Sequence, residues 1–231
     1  MGNSKIYLYF QLLRDKVSPS KWAILAIFPF LLIPSHPFRG ESAHWIEQID
    51  HYDNRDASEL LKIYSVLKSQ RMDLSDSWVW DVSTAILEES RKHSLDPLLV
   101  LAVIDVESRF QHAAVSTEGA RGLMQIRPIV ATALAKELVS SDKEINGAIE
   151  DPLESSTLEP LDLDDPILNI RLGVFYLHSL KKNFRDLKLA LTAYNWGPTE
   201  VRNRLEEDEG LPLDYAMKVL STYHSYRKDS R

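Results

Sequence analysis

The chain has 231 residues, no cysteine and a formal net charge of -7, with 44% hydrophobic and 26% charged residues. That is enough chain for one compact domain with an N-terminal surplus. The missing cysteine excludes disulfides, thiolate metal sites, a thiol nucleophile and a lipid-modified cysteine. The acidity is local: Glu137 to Asp165 holds ten acidic residues against Lys143 alone, so the remainder sums to +2 and carries no basic stripe for a nucleic-acid partner.

Lys5, Arg14, Lys16 and Lys21 precede the apolar run Trp22 to Ile33, which Pro34 and Pro37 close. The run is shorter than the roughly 20 residues that span a bilayer and has signal-peptide length, so residues 1–42 are predicted to act as a signal peptide or an uncleaved inner-membrane anchor. Gly40 and Ser42 place small residues where cleavage after Ser42 would need them. Either outcome puts the rest of the chain in the periplasm or cell envelope.

Helical spacing dominates after residue 40, with no sustained alternation that would indicate a sheet, so an all-α domain is expected. Residues 43–92 read as an N-terminal helical segment. Asp56 and Glu59 have capping-box spacing ahead of Leu60, Leu61, Tyr64 and Leu67, and a second helix is expected from Asp76 to about Lys92. Asp96-Pro97 supplies a cap and a first-turn proline, and Leu98 to Val106 is apolar nearly all round, which requires burial on every side. Gln111 to Gly122 reads as a loop, and helical spacing resumes to Leu138. The acidic stretch 137–165 reads as an inserted surface excursion. Its Asp162, Asp164 and Asp165 lack the glycine and closing glutamate of a calcium loop, so no metal is assigned to them. Asp165-Pro166 opens another helix, Asp186 the next, Gly197-Pro198 stops that one, and a last helix carries Tyr215, Val219, Leu220 and Tyr223.

Glu107 stands out chemically. It follows a wholly apolar helix and precedes a polar loop, so its carboxyl should emerge at the end of a buried element, where desolvation favours the protonated form. A carboxylic acid kept protonated near neutrality can donate to a glycosidic oxygen. By position alone, a helix-end carboxylate paired with Arg109 or Arg121 is the commoner explanation. Asp105 lies two residues away on the same helix and points elsewhere, which leaves only Glu118 and the acidic stretch to supply a second carboxyl.

Three segments settle the choice. Glu107-Ser108 is followed by Gly119-Ala120-Arg121-Gly122-Leu123-Met124-Gln125-Ile126-Arg127-Pro128 and then by Ala193-Tyr194-Asn195-Trp196-Gly197. In that order they resemble the soluble-type (SLT domain) lytic transglycosylases, a lysozyme-like family, over about residues 93–228. The resemblance implies a lysozyme-like helical fold with a small strand-poor lobe near Gly119 to Ile126 and an active-site cleft. It implies cleavage of the MurNAc-GlcNAc bond of peptidoglycan glycan strands, with Glu107 first as acid and then as base, 1,6-anhydromuramoyl ends as product, and no metal or organic cofactor. It makes Ser108, Met124, Gln125, Tyr194 and Asn195 substrate-binding residues. Gly119 and Gly122 should permit tight turns beside the sugar.

Goose-type lysozyme hydrolysis of the same bond, or a catalytically weak peptidoglycan-binding assembly factor, are the alternatives. One departure stands out: the family ends on Pro-x-Glu-Thr-x-x-Tyr-Val, its tyrosine approaching the active site, whereas Pro212 to Val219 places Lys218 at that tyrosine's position.

Overall fold

The structure, a computed structural model, describes residues 52–146 and 161–228, with side chains at 139–146 left out. The signal or anchor segment and the Trp22 to Ile33 run lie outside the described residues. Eight helices make up the described chain: α1 (Asn54–Gln70), α2 (Asp76–Lys92), α3 (Pro97–Ser108), α4 (Pro128–Asn146), α5 (Pro166–Phe184), α6 (Leu187–Trp196), α7 (Pro198–Glu206) and α8 (Asp214–Lys228).

The chain divides into two compact units, residues 1–62 and 63–231, and α1 runs across their boundary. In the first unit, Asp53 opens α1 by accepting the Arg55 and Asp56 amides at 2.9 and 2.8 Å. The helix therefore starts earlier than the Asp56 capping box predicted, because Asp53 already satisfies those two N–H groups. Ala57, Leu60 and Leu61 are buried on it.

The second unit is organised around α3. Leu98 to Ile104 are all buried, as an apolar run without a polar face requires, each Leu, Val or Ile side chain worth roughly 1.5 to 3 kcal/mol relative to exposure. Asp96 caps it through the Leu98 amide at 2.9 Å, with Pro97 in the first turn. α2 and α8 pack against α3, α5 packs against α2, α4 and α6, and α6 also meets α7 and α8. Asp165 and Asp186 cap α5 and α6 through the Leu168 and Leu189 amides, as their sequence positions indicated. Gly197 ends α6 at φ +87°, but Pro198 then begins α7, a helix whose mostly polar sequence gave no apolar stripe to read.

Between α3 and α4 the chain forms only two isolated antiparallel bridges, Val115 with Arg121 and Arg121 with Ile126. This is the small, strand-poor lobe. Gly119 and Gly122 turn it at φ +76° and +79°.

The acidic stretch is less of an excursion than its composition indicated. α4 continues through its first part to Asn146, and at its other end Leu163 is buried, Asp164 forms an ion pair with Arg121, and Asp165 caps α5. Asp162 accepts the Asp164 amide at 3.0 Å. All three aspartates are thus engaged in local structure. Charge density hid these anchors because each acid has a specific partner.

Candidate active site

Glu107 sits in the last turn of α3, half-buried. Immediately after it the chain turns through two consecutive left-handed residues, Arg109 at φ 50° and Phe110 at φ 61°. For side chains other than glycine that conformation costs about 1 to 2 kcal/mol each. The turn is held closed because Phe110 is buried, its carbonyl accepts Arg71 Nη1 at 2.9 Å, and the Arg109 amide donates to the Asp105 carbonyl. The strain fixes where α3 ends, and hence where Glu107 emerges.

Burial pushes the Glu107 carboxyl up to about 7, against the smaller opposing effects of a hydrogen bond from Tyr215 and the positive charge of Lys218. The Tyr215 hydroxyl donates to Glu107 Oε1 at 2.5 Å. Tyr215 is itself held well above its ordinary value by burial first and by the Glu107 charge second, so it stays a donor. Arg121, a possible partner by sequence, is occupied by Asp164, with Nε to Oδ1 at 3.2 Å. Asp105 accepts the Tyr226 hydroxyl at 2.7 Å. The two carboxyls on this turn therefore serve separate tyrosines of α8.

The loop lobe is fastened to α5 by Asn169. Fully buried, it accepts the Met124 amide at 2.7 Å and donates to the Arg121 and Leu163 carbonyls at 2.9 and 3.0 Å. Gly122 has no room for a Cβ, which would collide with that same Asn169 amide and the Leu163 carbonyl. Gly173, one turn on from Asn169, makes the slot that takes the Met124 side chain.

The residues singled out by sequence are placed as follows. Ser108 is buried and its hydroxyl donates back to the Ile104 carbonyl at 3.1 Å. Met124 is fully buried, with no side-chain surface left to touch a ligand in this conformation. Gln125, left-handed at φ 50°, is half-buried; its Nε2 donates to the Ala114 and Gly122 carbonyls, while Oε1 accepts no hydrogen bond among the described residues. Tyr194 is buried against Tyr176, ring centroids 5.2 Å apart, and donates to the Met124 carbonyl at 2.9 Å. Asn195 and Trp196 are exposed at the end of α6, Arg204 lying over the Trp196 ring at 5.8 Å. Glu107, Tyr194 and Tyr215 are close enough for their charges to act on one another.

Tyr215 is the site residue that sequence reasoning missed. It was legible as one of the apolar positions of α8 but not as a partner of Glu107, because the family pattern places its tyrosine at position 218, three residues later. Residues three apart on a helix share a face, and that spacing was the available signal.

The family model for the transglycosylase SLT domain matches residues 84–215, more than half of the chain. The chain belongs to the transglycosylase SLT domain family. Within curated proteins it is 28% identical over 144 residues to the membrane-bound lytic murein transglycosylase C of Mannheimia succiniciproducens, covering 59% of this chain and 36% of that protein. It is 29% identical over 155 residues to the protein of the same name from Shigella sonnei, covering 64% and 40%. With the membrane-bound lytic murein transglycosylase E of Buchnera aphidicola it shares 35% identity over 95 residues, covering 40% and 37%. The chain thus matches well under half the length of these relatives. In fold, the SLT domain resembles the 70 kDa soluble lytic transglycosylase of Escherichia coli, with a TM-score of 0.52 at 21% identity over 80% of this chain and 32% of that one. It also resembles the lytic transglycosylase Slt of Pseudomonas aeruginosa, with a TM-score of 0.50 at 23% identity over the same shares.

Proposed function

We propose that this chain is a peptidoglycan lytic transglycosylase that cleaves the MurNAc-GlcNAc bond and leaves 1,6-anhydromuramoyl ends. The observation that carries the reading is Glu107: a half-buried carboxyl poised near neutrality, oriented by the Tyr215 hydroxyl at 2.5 Å. A group that must first give a proton and then take one works best with such a balance.

The chemistry needs one carboxyl. Protonated Glu107 donates to the leaving GlcNAc oxygen as the glycosidic bond breaks, and the muramoyl N-acetyl oxygen stabilises the electron-poor anomeric carbon. The Glu107 carboxylate then removes the proton of the C6 hydroxyl, whose oxygen closes the 1,6-anhydro ring and restores the starting acid. The ordinary two-carboxyl route would require a second acid across the bond. Asp105 is engaged by Tyr226, Asp164 by Arg121, and Glu118 is exposed on the loop lobe. Gln125 Oε1 and the exposed Asn195 amide supply hydrogen bonds for hydroxyl or N-acetyl groups. Ser108 and Met124 are buried supports in this reading, and Tyr194 fixes the Met124 carbonyl.

The site of action is the cell envelope. The similarity to membrane-bound lytic murein transglycosylases supports this, as does the basic flank ahead of Trp22 to Ile33. Among the described residues no helix is long and apolar enough to cross a membrane. Digestion of purified peptidoglycan followed by mass spectrometry tests the function: 1,6-anhydromuramoyl products are expected. Free reducing ends would establish hydrolysis instead, and undigested glycan a binding protein.

A further inference from the structure

Lys218 follows Tyr215 by three residues on α8, so the two side chains share the face that meets Glu107. Tyr215 already orients the acid, and Lys218 is not needed for that purpose. Its side chain is exposed, yet its positive charge reaches the Glu107 carboxyl. Among the described residues it makes no hydrogen bond and no ion pair; even Asp214, one turn earlier on α8, does not pair with it. An unpaired cation beside a general acid works against proton retention, and an anion on the substrate would cancel that effect on binding.

Resting on the proposed function, we propose that Lys218 is a specificity residue whose ammonium recognises a carboxylate carried by the muramoyl residue next to the bond that Glu107 protonates. Such a carboxylate has two sources in peptidoglycan. One is the lactyl carboxylate of a muramoyl residue freed of its peptide stem, and the other is an acid group on the stem itself. Lysine suits either, because its compact charge needs no planar partner.

The test uses Glu107→Gln protein, which binds without turnover, against the same protein carrying Lys218→Met or Lys218→Arg. Calorimetric titrations use three probes: stem-free glycan strands, the same strands with their lactyl carboxylates converted to methylamides, and stem-bearing strands. The Lys218 protein should bind a carboxylate-bearing probe roughly 10-fold more tightly than the methylamide, as one charge-assisted hydrogen bond allows. Lys218→Met should remove that preference and Lys218→Arg should keep most of it. Preference for the stem-free strands assigns the lactyl group, and preference for the stem-bearing strands assigns the stem. Identical binding of all three probes by the Lys218 and Lys218→Met proteins would overturn the inference. If Glu107 protein released no anhydro ends while the Lys218-dependent preference persisted, the proposed function would fail and the recognition would stand.

Discussion

Asn169 accepts the backbone amide of Met124 at 2.7 Å across 45 residues of chain, and its own amide spans two further carbonyls. One buried side chain therefore ties α5 to the loop lobe at Arg121 and Met124 and to the segment ahead of α5 at Leu163. Replacing it with leucine would strand the Met124 amide and the Leu163 carbonyl away from water and leave the Arg121 carbonyl only its bond from the Ile126 amide. A loss of about 3 to 5 kcal/mol is expected, read as a lower urea midpoint. A variant within about 1 kcal/mol of the parent would show that the lobe does not depend on this clasp.

Gly119 and Gly122 give a matched pair for testing the turns. Both have positive φ, but nothing lies within 4 Å of a Cβ built at Gly119, whereas at Gly122 it meets Asn169 and Leu163. Gly119→Ala should cost only the backbone term, about 1 to 2 kcal/mol. Gly122→Ala adds a collision inside the clasp and should cost more than about 3 kcal/mol, with loss of near-ultraviolet circular dichroism. Equal melting temperatures for the two variants would contradict the geometry.

Glu107→Gln should lower turnover by at least about 10²-fold to 10⁴-fold, since an amide cannot exchange the proton. It should also stabilise the fold in a pH-dependent way. Because the folded pKa of Glu107 is raised to about 7, its stability contribution is complete below the unfolded value near 4.5 and is lost as pH rises through 7. The glutamine variant should match the parent near pH 4 and exceed it by roughly 1 to 3 kcal/mol at pH 8. Thermal melts at the two pH values decide this, and a variant no more stable at pH 8 would mean the carboxyl is not desolvated.

Tyr215→Phe removes the larger of the two influences that lower the Glu107 pKa. The acid then holds its proton to higher pH, so the alkaline limb of kcat/KM should move upward while turnover falls about 10-fold from poorer orientation. Tyr194→Phe loses a bond to the Met124 carbonyl instead, and should cost about 1 kcal/mol of stability without moving that limb. A shifted limb in Tyr194→Phe and none in Tyr215→Phe would exchange the two roles.

Local signals were readable wherever one residue dictated one outcome. Asp96, Asp165 and Asp186 marked helix starts because a carboxylate followed by apolar periodicity has few other uses. The run Leu98 to Val106 demanded burial, met in full from Leu98 to Ile104 with Val106 half-buried, and with it a carboxyl emerging at Glu107. What escaped depended on contacts between distant segments. The Tyr215 hydroxyl meets a residue 108 positions away, and the acidic stretch hides Leu163 and Asp164 because composition averages over individual partners. Likewise the full burial of Met124 is set by the slot at Gly173, which neither position announces by itself.

The hydrogen bond from Tyr215 to Glu107 also has an order in time. A ribosome synthesises the acid more than one hundred residues before the hydroxyl that aims it, and α8 is the last helix of the described chain to emerge. A nascent or prematurely ended chain therefore lacks both a helix that packs on α3 and the hydroxyl that directs Glu107. Full competence arrives only with the closing helix, so fragments left by early termination or by clipping ahead of Asp214 would carry an acid with nothing to steer it.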